Sequence, residues 1–183
     1  MLSLSIGKLD VKPAIENAEL LAPKVAEMLA TNLATANIGV AEIDPGLSDT
    51  AAFCEAYEIP LALAANCVVL EAKRADRTWF AVCVIPGNTR ADINGLARRT
   101  LDAKKVSFAP MEKAIAETGM EYGAITPIGL PKDWPILIDK AVIDSQSVII
   151  GSGIRKSKLI VPGAVLSLLE NVQVLDALGK TAS

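Results

Sequence analysis

Three glycines and two prolines fall within the fourteen residues 118–131, and this density predicts a long loop rather than a regular element. Glycine lets such a loop bring its backbone N–H groups close to a ligand. A short apolar strand follows and ends on Asp139, and another one ends at the glycine turn 151–153. The pattern is typical of a pocket wall, although most loops of this composition only connect strands.

The chain contains no histidine among its 183 residues. This absence excludes Ser-His-Asp and Cys-His catalysis, histidine proton shuttles and the usual zinc sites. Any general base must then be a carboxylate, a lysine with a shifted pKa, a water held by the backbone, or a group of the substrate.

The length fits one domain, and a chain of this size buries roughly 70% of the surface that it exposes when unfolded. Hydrophobic residues make up 51% of the sequence but aromatic residues only 4%, so the core must consist mainly of Ala, Val, Ile and Leu. The three cysteines, Cys54, Cys67 and Cys83, lack CxxC spacing, which favours reduced thiols that fill the core of a cytoplasmic protein. No apolar run approaches the roughly 18 residues of a membrane span, so we expect a soluble chain without a membrane partner.

The formal net charge of −3 does not predict general nucleic-acid binding, which needs a strongly basic surface. Local basic clusters could hold a few phosphates, or could be ordinary solvated surface charge. These clusters are Lys73-Arg74 with Arg77, Arg98-Arg99, Lys104-Lys105, and Arg155-Lys156 with Lys158.

Apolar residues recur at helical spacing from residue 13 to about 34, and Pro23 interrupts the run, which favours a helix at 23–34. Further helices are predicted at 49–57, 88–101, 110–118 and 162–170. Strands are predicted at 38–43, 67–73, 78–85, 105–108, 136–138, 148–150 and 159–161, with a hairpin turn around Ala75-Asp76. These elements predict a single α/β domain with a mixed, barrel-like β-sheet and helices packed outside it.

Several short motifs follow one another along the chain. They are the helix before Pro60, Ile85-Pro86-Gly87, Ala109-Pro110-Met111-Glu112, the loop 123–131, Asp139 and the turn 151–153. In this order they resemble the YbaK/ProX family of aminoacyl-tRNA deacylases, relatives of the editing insertion domain of bacterial prolyl-tRNA synthetase. The resemblance implies one editing domain over residues 1–183, with a core at 48–169 on which the N-terminal helical segment and strand at 12–43 pack.

The resemblance implies a cytoplasmic trans-editing hydrolase, which cleaves the ester between a wrongly attached amino acid and the 3′-terminal ribose of a tRNA. Because that ester is already activated, a positioned water and two or three donors to the developing oxyanion suffice without a side-chain nucleophile. The substrate's ribose 2′-hydroxyl would hold the water. The implied partners are the acceptor end of aminoacyl-tRNA and, as a further association, an aminoacyl-tRNA synthetase. No cofactor or metal is implied, and the oligomeric state stays open.

On the matching positions, the resemblance implies catalytic roles for Asn66, Asp139 and Gly129. Substrate binding is implied for the loop residues Gly123, Thr126 and Pro127, and for Gly151, Ser152, Gly153 and Arg155 on the opposite wall. Three of these residues have structural alternatives that the sequence leaves open, and that of Asn66 follows below. The Thr126 hydroxyl could bond its own turn, and Asp139 could cap a loop or pair with Lys140 or Arg155.

Asn66 is the main departure from the family pattern, which has a lysine at the start of this strand. Asparagine offers hydrogen bonds without a charge, so the alternative to a hydrolase is an aminoacyl-tRNA or nucleotide-binding homologue with weak or no catalysis. Asn66 could also serve only to start the strand. If Asn66 faces the pocket, strand alternation sends Cys67 to the core, where a thiol without histidine is poorly ionised.

Overall fold

The computed structural model describes residues 6–181. The strands are β1 Val11–Pro13, β2 Gly39–Glu42, β3 Ala65–Arg74, β4 Arg77–Pro86, β5 Thr89–Ala91, β6 Lys105–Phe108, β7 Ile136–Asp139, β8 Val148–Gly151, β9 Ser157–Val161, β10 Val172–Leu175 and β11 Gly179–Thr181. The helices are α1 Pro23–Thr31, α2 Thr50–Tyr57, a π-helical turn Ile93–Ala97 that continues into α3 Arg98–Thr100, α4 Met111–Thr118 and α5 Lys140–Ile143. Short 3₁₀ helices lie at Ala14–Glu16, Ala18–Leu20, Pro45–Leu47, Leu61–Leu63 and Gly163–Leu168.

A five-stranded sheet is built on the antiparallel hairpin of β3 and β4, whose register runs from Ala65 opposite Pro86 to Arg74 opposite Arg77. β6 pairs with β3, while β7 runs parallel to β4 and β10 parallel to β7, which gives the order β10-β7-β4-β3-β6. Ala75 in the two-residue turn has a φ of +53°, as a tight hairpin of this kind requires. The predicted hairpin and the mixed sheet are confirmed.

A second, four-stranded sheet has the order β1-β2-β9-β8 and is antiparallel throughout. Side chains alternate along β9, where Leu159 and Val161 join the core between the two sheets and Ile160 packs toward α2. β5 and β11 form a separate two-stranded ribbon. The α/β fold is confirmed, but the strands within residues 6–181 form two open sheets and a ribbon and close into no barrel.

The core consists of three clusters of buried aliphatic residues. The largest lies between the sheets and includes Val82, Val84 and Ile138, which alternate along their strands with residues of the second cluster on the opposite face. The third cluster packs α2, through Phe53 and Cys54, against the four-stranded sheet. α2 is therefore fixed against strand β9, and its first turn reaches the start of β3.

Most predicted helices are confirmed, but the predicted helix at 88–101 is wrong in its first part. Residues 89–91 form strand β5, paired with β11, and the helical turn starts only after Asp92. The Asp92 carboxylate accepts hydrogen bonds from the N–H groups of Gly95 and Leu96, so Asp92 is the capping residue of this helical turn. The predicted final helix is a 3₁₀ helix at Gly163–Leu168.

The last two strands, β10 and β11, were not predicted by the sequence pattern. β10 lies at a sheet edge and is half-exposed, so its residues lack the apolar run of an interior strand. Among residues 6–181, none of the helices is both long and apolar enough to span a bilayer.

Candidate functional site

A cleft of about 510 Å³ lies at the end of the β3–β4 hairpin that carries Asn66. Its walls are the start of α2, the first residues of β3, the segment from β6 into α4, the loop at 122–125, and Gly151 with Lys158 from the four-stranded sheet. Pockets that bind small ligands commonly have this volume. A depression of about 470 Å³ elsewhere on the four-stranded sheet is lined by uncharged residues alone, whereas the cleft contains Asp49 and Lys158. The cleft is therefore the candidate site.

Asn66 is the second residue of β3 and lines the cleft. Its side-chain oxygen accepts a hydrogen bond from the hydroxyl of Thr50, the first residue of α2. Asp49 caps the same helix by accepting from the N–H groups of Ala51 and Ala52. The Asn66 side-chain nitrogen donates no hydrogen bond to any residue within 6–181. Both of its N–H groups are therefore available to a ligand.

Gly123 places the loop at 122–125 against the cleft. Its φ is +80°, and a β-carbon there would lie 2.8 Å from Arg155 Nη1 and 3.4 Å from Ser48 Oγ. Both the conformation and the close approach require glycine. The N–H groups of Gly123 and Ile125 donate no hydrogen bond to any residue that the structure describes, and both residues line the cleft. They are candidate donors to a bound carbonyl or hydroxyl.

Arg155 holds this loop in place from outside the cleft. Its Nη1 donates to the Tyr122 carbonyl at 3.0 Å, its Nη2 donates to the Pro45 carbonyl at 3.1 Å, and its backbone N–H donates to Glu121 Oε1 at 3.1 Å. The guanidinium thus connects the loop to the turn before α2. These contacts indicate a positioning residue rather than the expected contact with substrate.

Within the turn at 151–153, the three residues differ in their surroundings. Gly151 lines the cleft, and a β-carbon there would lie 2.5 Å from the Ala124 carbonyl oxygen. Ser152 is fully buried, and its hydroxyl donates to the Ile154 carbonyl and accepts from the Ser157 hydroxyl. Gly153 packs against Ala22 and donates from its N–H to Ala124. Only Gly151 is therefore placed to touch a ligand in the cleft.

Asp139 lies outside the cleft lining and is bonded elsewhere. Its carboxylate accepts from the N–H of Ala141, at the start of α5, and from the N–H of Gly179, at distances of 2.8 and 2.6 Å. The side chain is buried, and these two bonds satisfy its oxygens. This placement matches the capping alternative, with Gly179 and α5 as the partners instead of Lys140 or Arg155.

The remaining loop residues also lie outside the cleft lining. Thr126 is fully buried, and its hydroxyl has no hydrogen-bond partner among the described residues. Pro127 and Gly129 border a different depression beside α1, where Gly129 packs against the backbone of Lys24. Of the sequence-predicted site residues, the structure brings together Asn66, Gly123 and Gly151.

Lys158 is a cleft residue that the sequence analysis placed in a surface cluster with Arg155 and Lys156. Its side chain is only 6% exposed, and its ammonium donates to the Ser48 carbonyl at 2.8 Å and lies 5.2 Å from the Phe53 ring centroid. It forms no ion pair within residues 6–181. Burial lowers the pKa of Lys158 to about 8, with Arg155 acting in the same direction and Cys54 and Asp49 opposing it.

A pattern in the sequence could have revealed this lysine. Strand β9 reads Ser157-Lys158-Leu159-Ile160-Val161 and is buried along its whole length. A lysine within such a strand has no solvent in which to extend, so it must face a cavity or a partner. The residue opposite Lys158 on β8 is Gly151, whose missing side chain leaves space on the face that Lys158 shares.

Cysteine ionisation is strongly disfavoured at this site. Cys67 lines the cleft next to Asn66 and also packs against the main core, so the expected separation of the two side chains is incomplete. Burial raises the pKa of the Cys67 thiol, with the neighbouring Cys83 adding to the effect, and burial raises the pKa of Cys83 to about 12. Protonated thiols are poor nucleophiles. Within residues 6–181, no group of three His, Cys, Asp or Glu side chains could hold a metal ion.

An exposed apolar rim surrounds the mouth of the cleft. We define this rim as Phe108, Met111 and Tyr122, whose exposed fractions are 65%, 50% and 58%. Large exposed apolar side chains grouped around a cleft commonly mark a binding surface. The rim therefore offers a surface on which a flat or apolar group could pack.

The profile of the aminoacyl-tRNA editing domain matches residues 44–168, a range that includes every residue of the cleft lining. EbsC of Enterococcus faecalis, a candidate Cys-tRNA(Pro)/Cys-tRNA(Cys) deacylase, is 32% identical over 94 residues. That alignment covers 51% of this chain and 57% of the relative, so it spans little more than half of either protein.

Two solved structures share the fold. A candidate trans-editing enzyme for prolyl-tRNA synthetase superposes with a TM-score of 0.70 at 18% identity, covering 88% of this chain and 99% of that one. A structure from the computational grafting of epitopes onto scaffold proteins superposes with a TM-score of 0.73 at 19% identity, covering 88% and 97%. At these identities the similarity concerns the fold alone.

Proposed function

The chain belongs to the aminoacyl-tRNA editing domain family, and from this membership we propose that it hydrolyses the ester bond of mischarged aminoacyl-tRNA. The observation that carries the proposal is the cleft itself. Asn66, Gly123 and Ile125 line it, and no described residue accepts a hydrogen bond from the Asn66 amide or from the N–H groups of Gly123 and Ile125. An ester carbonyl offers the acceptor that such donors require.

The proposed reaction needs no side-chain nucleophile. A water oxygen attacks the ester carbonyl carbon, and the carbonyl oxygen becomes an oxyanion. The oxyanion then re-forms the carbonyl as the bond to the ribose oxygen breaks, and one proton of the attacking water passes to that ribose oxygen. The substrate's neighbouring 2′-hydroxyl holds the water, as the family resemblance implies. Donors aimed at a developing oxyanion typically contribute about 10²- to 10³-fold each in kcat. The Asn66 amide and the loop N–H groups are the groups that we assign to this task.

The apolar rim suits the end of a tRNA. Aromatic faces stack on unpaired bases, and each such stack contributes about 1–3 kcal/mol. Phe108 and Tyr122 therefore would hold the terminal base outside the cleft while the aminoacyl ester enters it. The acceptor end of aminoacyl-tRNA is the partner that we propose, and the name of the structural relative suggests a synthetase as a second partner. The name of EbsC makes cysteine the first amino acid to test.

The proposal is tested by the release of amino acid from tRNA with and without Asn66. Asn66→Ala should lower kcat/KM by about 10- to 100-fold, because it removes one or two oriented hydrogen bonds at 1.36 kcal/mol per decade. Asn94→Ala is the matched control, since Asn94 is exposed on the π-helical turn outside the cleft lining. Asn94→Ala should retain the wild-type rate.

Other results would change the assignment. Full activity of folded Asn66→Ala would remove Asn66 from the chemistry and leave the loop N–H groups to carry it. Tight binding of charged tRNA with no turnover by the wild type would favour the alternative of an aminoacyl-tRNA-binding homologue.

A further inference from the structure

Lys158 is the one lysine in the cleft lining, and the geometry assigns its ammonium a place in the reaction: we infer that it stabilises the oxyanion that forms on the substrate's ester carbonyl. This inference rests on the proposed hydrolase function. It concerns a residue on β9, remote in sequence from Asn66 and from the loop at 122–125.

The Lys158 ammonium is held for a ligand rather than for the fold. A buried lysine is normally paired with a carboxylate, because an unpaired buried charge is expensive. Lys158 has no such partner within residues 6–181. Its one hydrogen bond goes to the neutral Ser48 carbonyl, and the Phe53 ring centroid lies 5.2 Å from the ammonium. An ammonium has three donors, so at least one remains for a ligand beside these two neutral contacts.

The ammonium and the other donors of the cleft meet at the start of α2. Ser48, which accepts from Lys158, also lies beside Gly123, since a β-carbon on Gly123 would be 3.4 Å from Ser48 Oγ. The next residues, Asp49 and Thr50, line the cleft, and Thr50 orients Asn66. The start of α2 thus connects the ammonium, the loop N–H groups and the Asn66 amide around one space.

The ester carbonyl is neutral before attack and carries a full negative charge in the tetrahedral intermediate, so a cation in a buried wall favours the transition state over the ground state. The same ammonium repels the protonated α-amino group of the substrate, which therefore must point toward another wall. The titratable and charged groups near Lys158 are Cys54 from α2, the capping residue Asp49, and Arg155 from the segment before β9. The cleft wall adds Cys67 and Tyr122.

The test compares Lys158→Met with Lys156→Met. Methionine preserves much of the length of lysine without its charge, and Lys156 is an exposed lysine two residues away. Release of the amino acid from N-acetylated aminoacyl-tRNA should be measured from pH 6 to pH 9.5, because acetylation removes the titration of the substrate's own amine. The ratio of kcat between wild type and Lys158→Met cancels the dependence on hydroxide that both proteins share.

We expect a kcat ratio of about 100 below pH 8, in the range of one oxyanion donor. Above pH 8 the ratio should fall about tenfold per pH unit as the ammonium loses its proton. KM should change little, and Lys156→Met should match the wild type at every pH. If Lys158→Met does not fold, Lys158→Arg decides, because its guanidinium stays charged up to pH 9.5. Above pH 8 the kcat of the wild type should then fall relative to the kcat of Lys158→Arg.

Two failures are distinguishable. An active wild type whose rate and pH profile are unchanged in folded Lys158→Met would overturn the inference and leave the hydrolase proposal intact. A wild type that releases no amino acid from any charged tRNA would overturn the hydrolase proposal, and the assignment of Lys158 with it.

Discussion

Replacing Lys158 by methionine should change how the stability of the fold depends on pH. Lys158 is buried without an ion-pair partner among the described residues, and burial lowers its pKa from the ordinary 10.5 to about 8. Between these two pH values the unfolded chain binds more protons at this position than the folded chain does. The free energy of unfolding contributed by Lys158 therefore rises with pH across this window.

The magnitude follows from the two pKa values. Below about pH 8 the folded chain bears the full cost of the buried ammonium, and at higher pH the folded-state amine loses its proton and this cost is relieved. At 1.36 kcal/mol per pKa unit, the wild type should gain about 2.5 kcal/mol relative to Lys158→Met between pH 7 and pH 10. For a chain of this size, this corresponds to about 5–10 °C in the relative Tm.

The assay is chemical denaturation of both proteins by urea at pH 7, 8, 9 and 10. Taking the difference between the two proteins removes the titration of groups that they share, including Cys67 and Cys83. Burial raises the pKa of the nearby Cys54 thiol and the charge of Lys158 opposes this rise, so the two proteins would differ in the titration of Cys54 as well. Both proteins should therefore carry Cys54→Ala. Lys156→Met in the same background is the control, and its difference from the wild type should stay flat. If the difference in free energy of unfolding between wild type and Lys158→Met changes by less than about 0.5 kcal/mol from pH 7 to pH 10, Lys158 is not a buried, unpaired ammonium.

Three further predictions concern the loop, the thiol and the tRNA. Gly123→Ala should reduce turnover at least tenfold, because a β-carbon there conflicts with the positive φ and would lie 2.8 Å from Arg155. Gly119→Ala is the control, since Gly119 has a similar φ but a β-carbon there would have no neighbour within 4 Å. This control should lower stability by about 1 kcal/mol and leave turnover unchanged. Cys67→Ala should lower the free energy of unfolding by about 1 kcal/mol and leave turnover per folded molecule unchanged, and loss of turnover in a stable variant would restore the thiol as a candidate nucleophile. The slope of log affinity against log salt for charged tRNA should correspond to about two to four phosphate contacts, and a slope equivalent to eight would reveal a continuous basic surface.

The structure explains why the salt dependence should be modest. Several residues of the basic clusters already have acidic partners: Lys73 contacts Glu71 at 3.2 Å, and Arg74 contacts Asp102 at 3.1 Å. These residues lie at the far end of the β3–β4 hairpin, roughly 25 Å from Asn66 at about 3.3 Å per strand residue. Only a tRNA that lies along the hairpin could reach both the cleft and this end.

Local sequence signals were sufficient for elements that local interactions determine. The β3–β4 hairpin combines two long β-rich runs with a short polar turn, and α4 begins after Pro110 and ends at Gly119 with a φ of +67°. The helix predicted from residue 88 failed because β5 exists only through its pairing with β11, about ninety residues later in the sequence. No local pattern carries that information.

The candidate site was predictable only in part, for the same reason. Asn66 and Gly123 meet as expected, but Asp139 bonds Gly179, forty residues further along the chain, and so lies outside the cleft lining. Lys158 was grouped with its basic neighbours in sequence, whereas burial of β9 separates it from exposed Lys156. The division into a core at 48–169 with an added N-terminal segment stays a prediction, although β2 of that segment pairs directly with β9.

The most direct test of the hydrolase proposal is the release of amino acid from purified tRNAs, each charged with one amino acid and starting with cysteine, by catalytic amounts of the wild-type chain. We expect repeated turnover on at least one mischarged tRNA, faster than hydrolysis without protein and reduced in both Asn66→Ala and Lys158→Met. Release at the protein-free rate from every charged tRNA, by a chain shown to be folded, would contradict the proposal that this cleft hydrolyses aminoacyl esters.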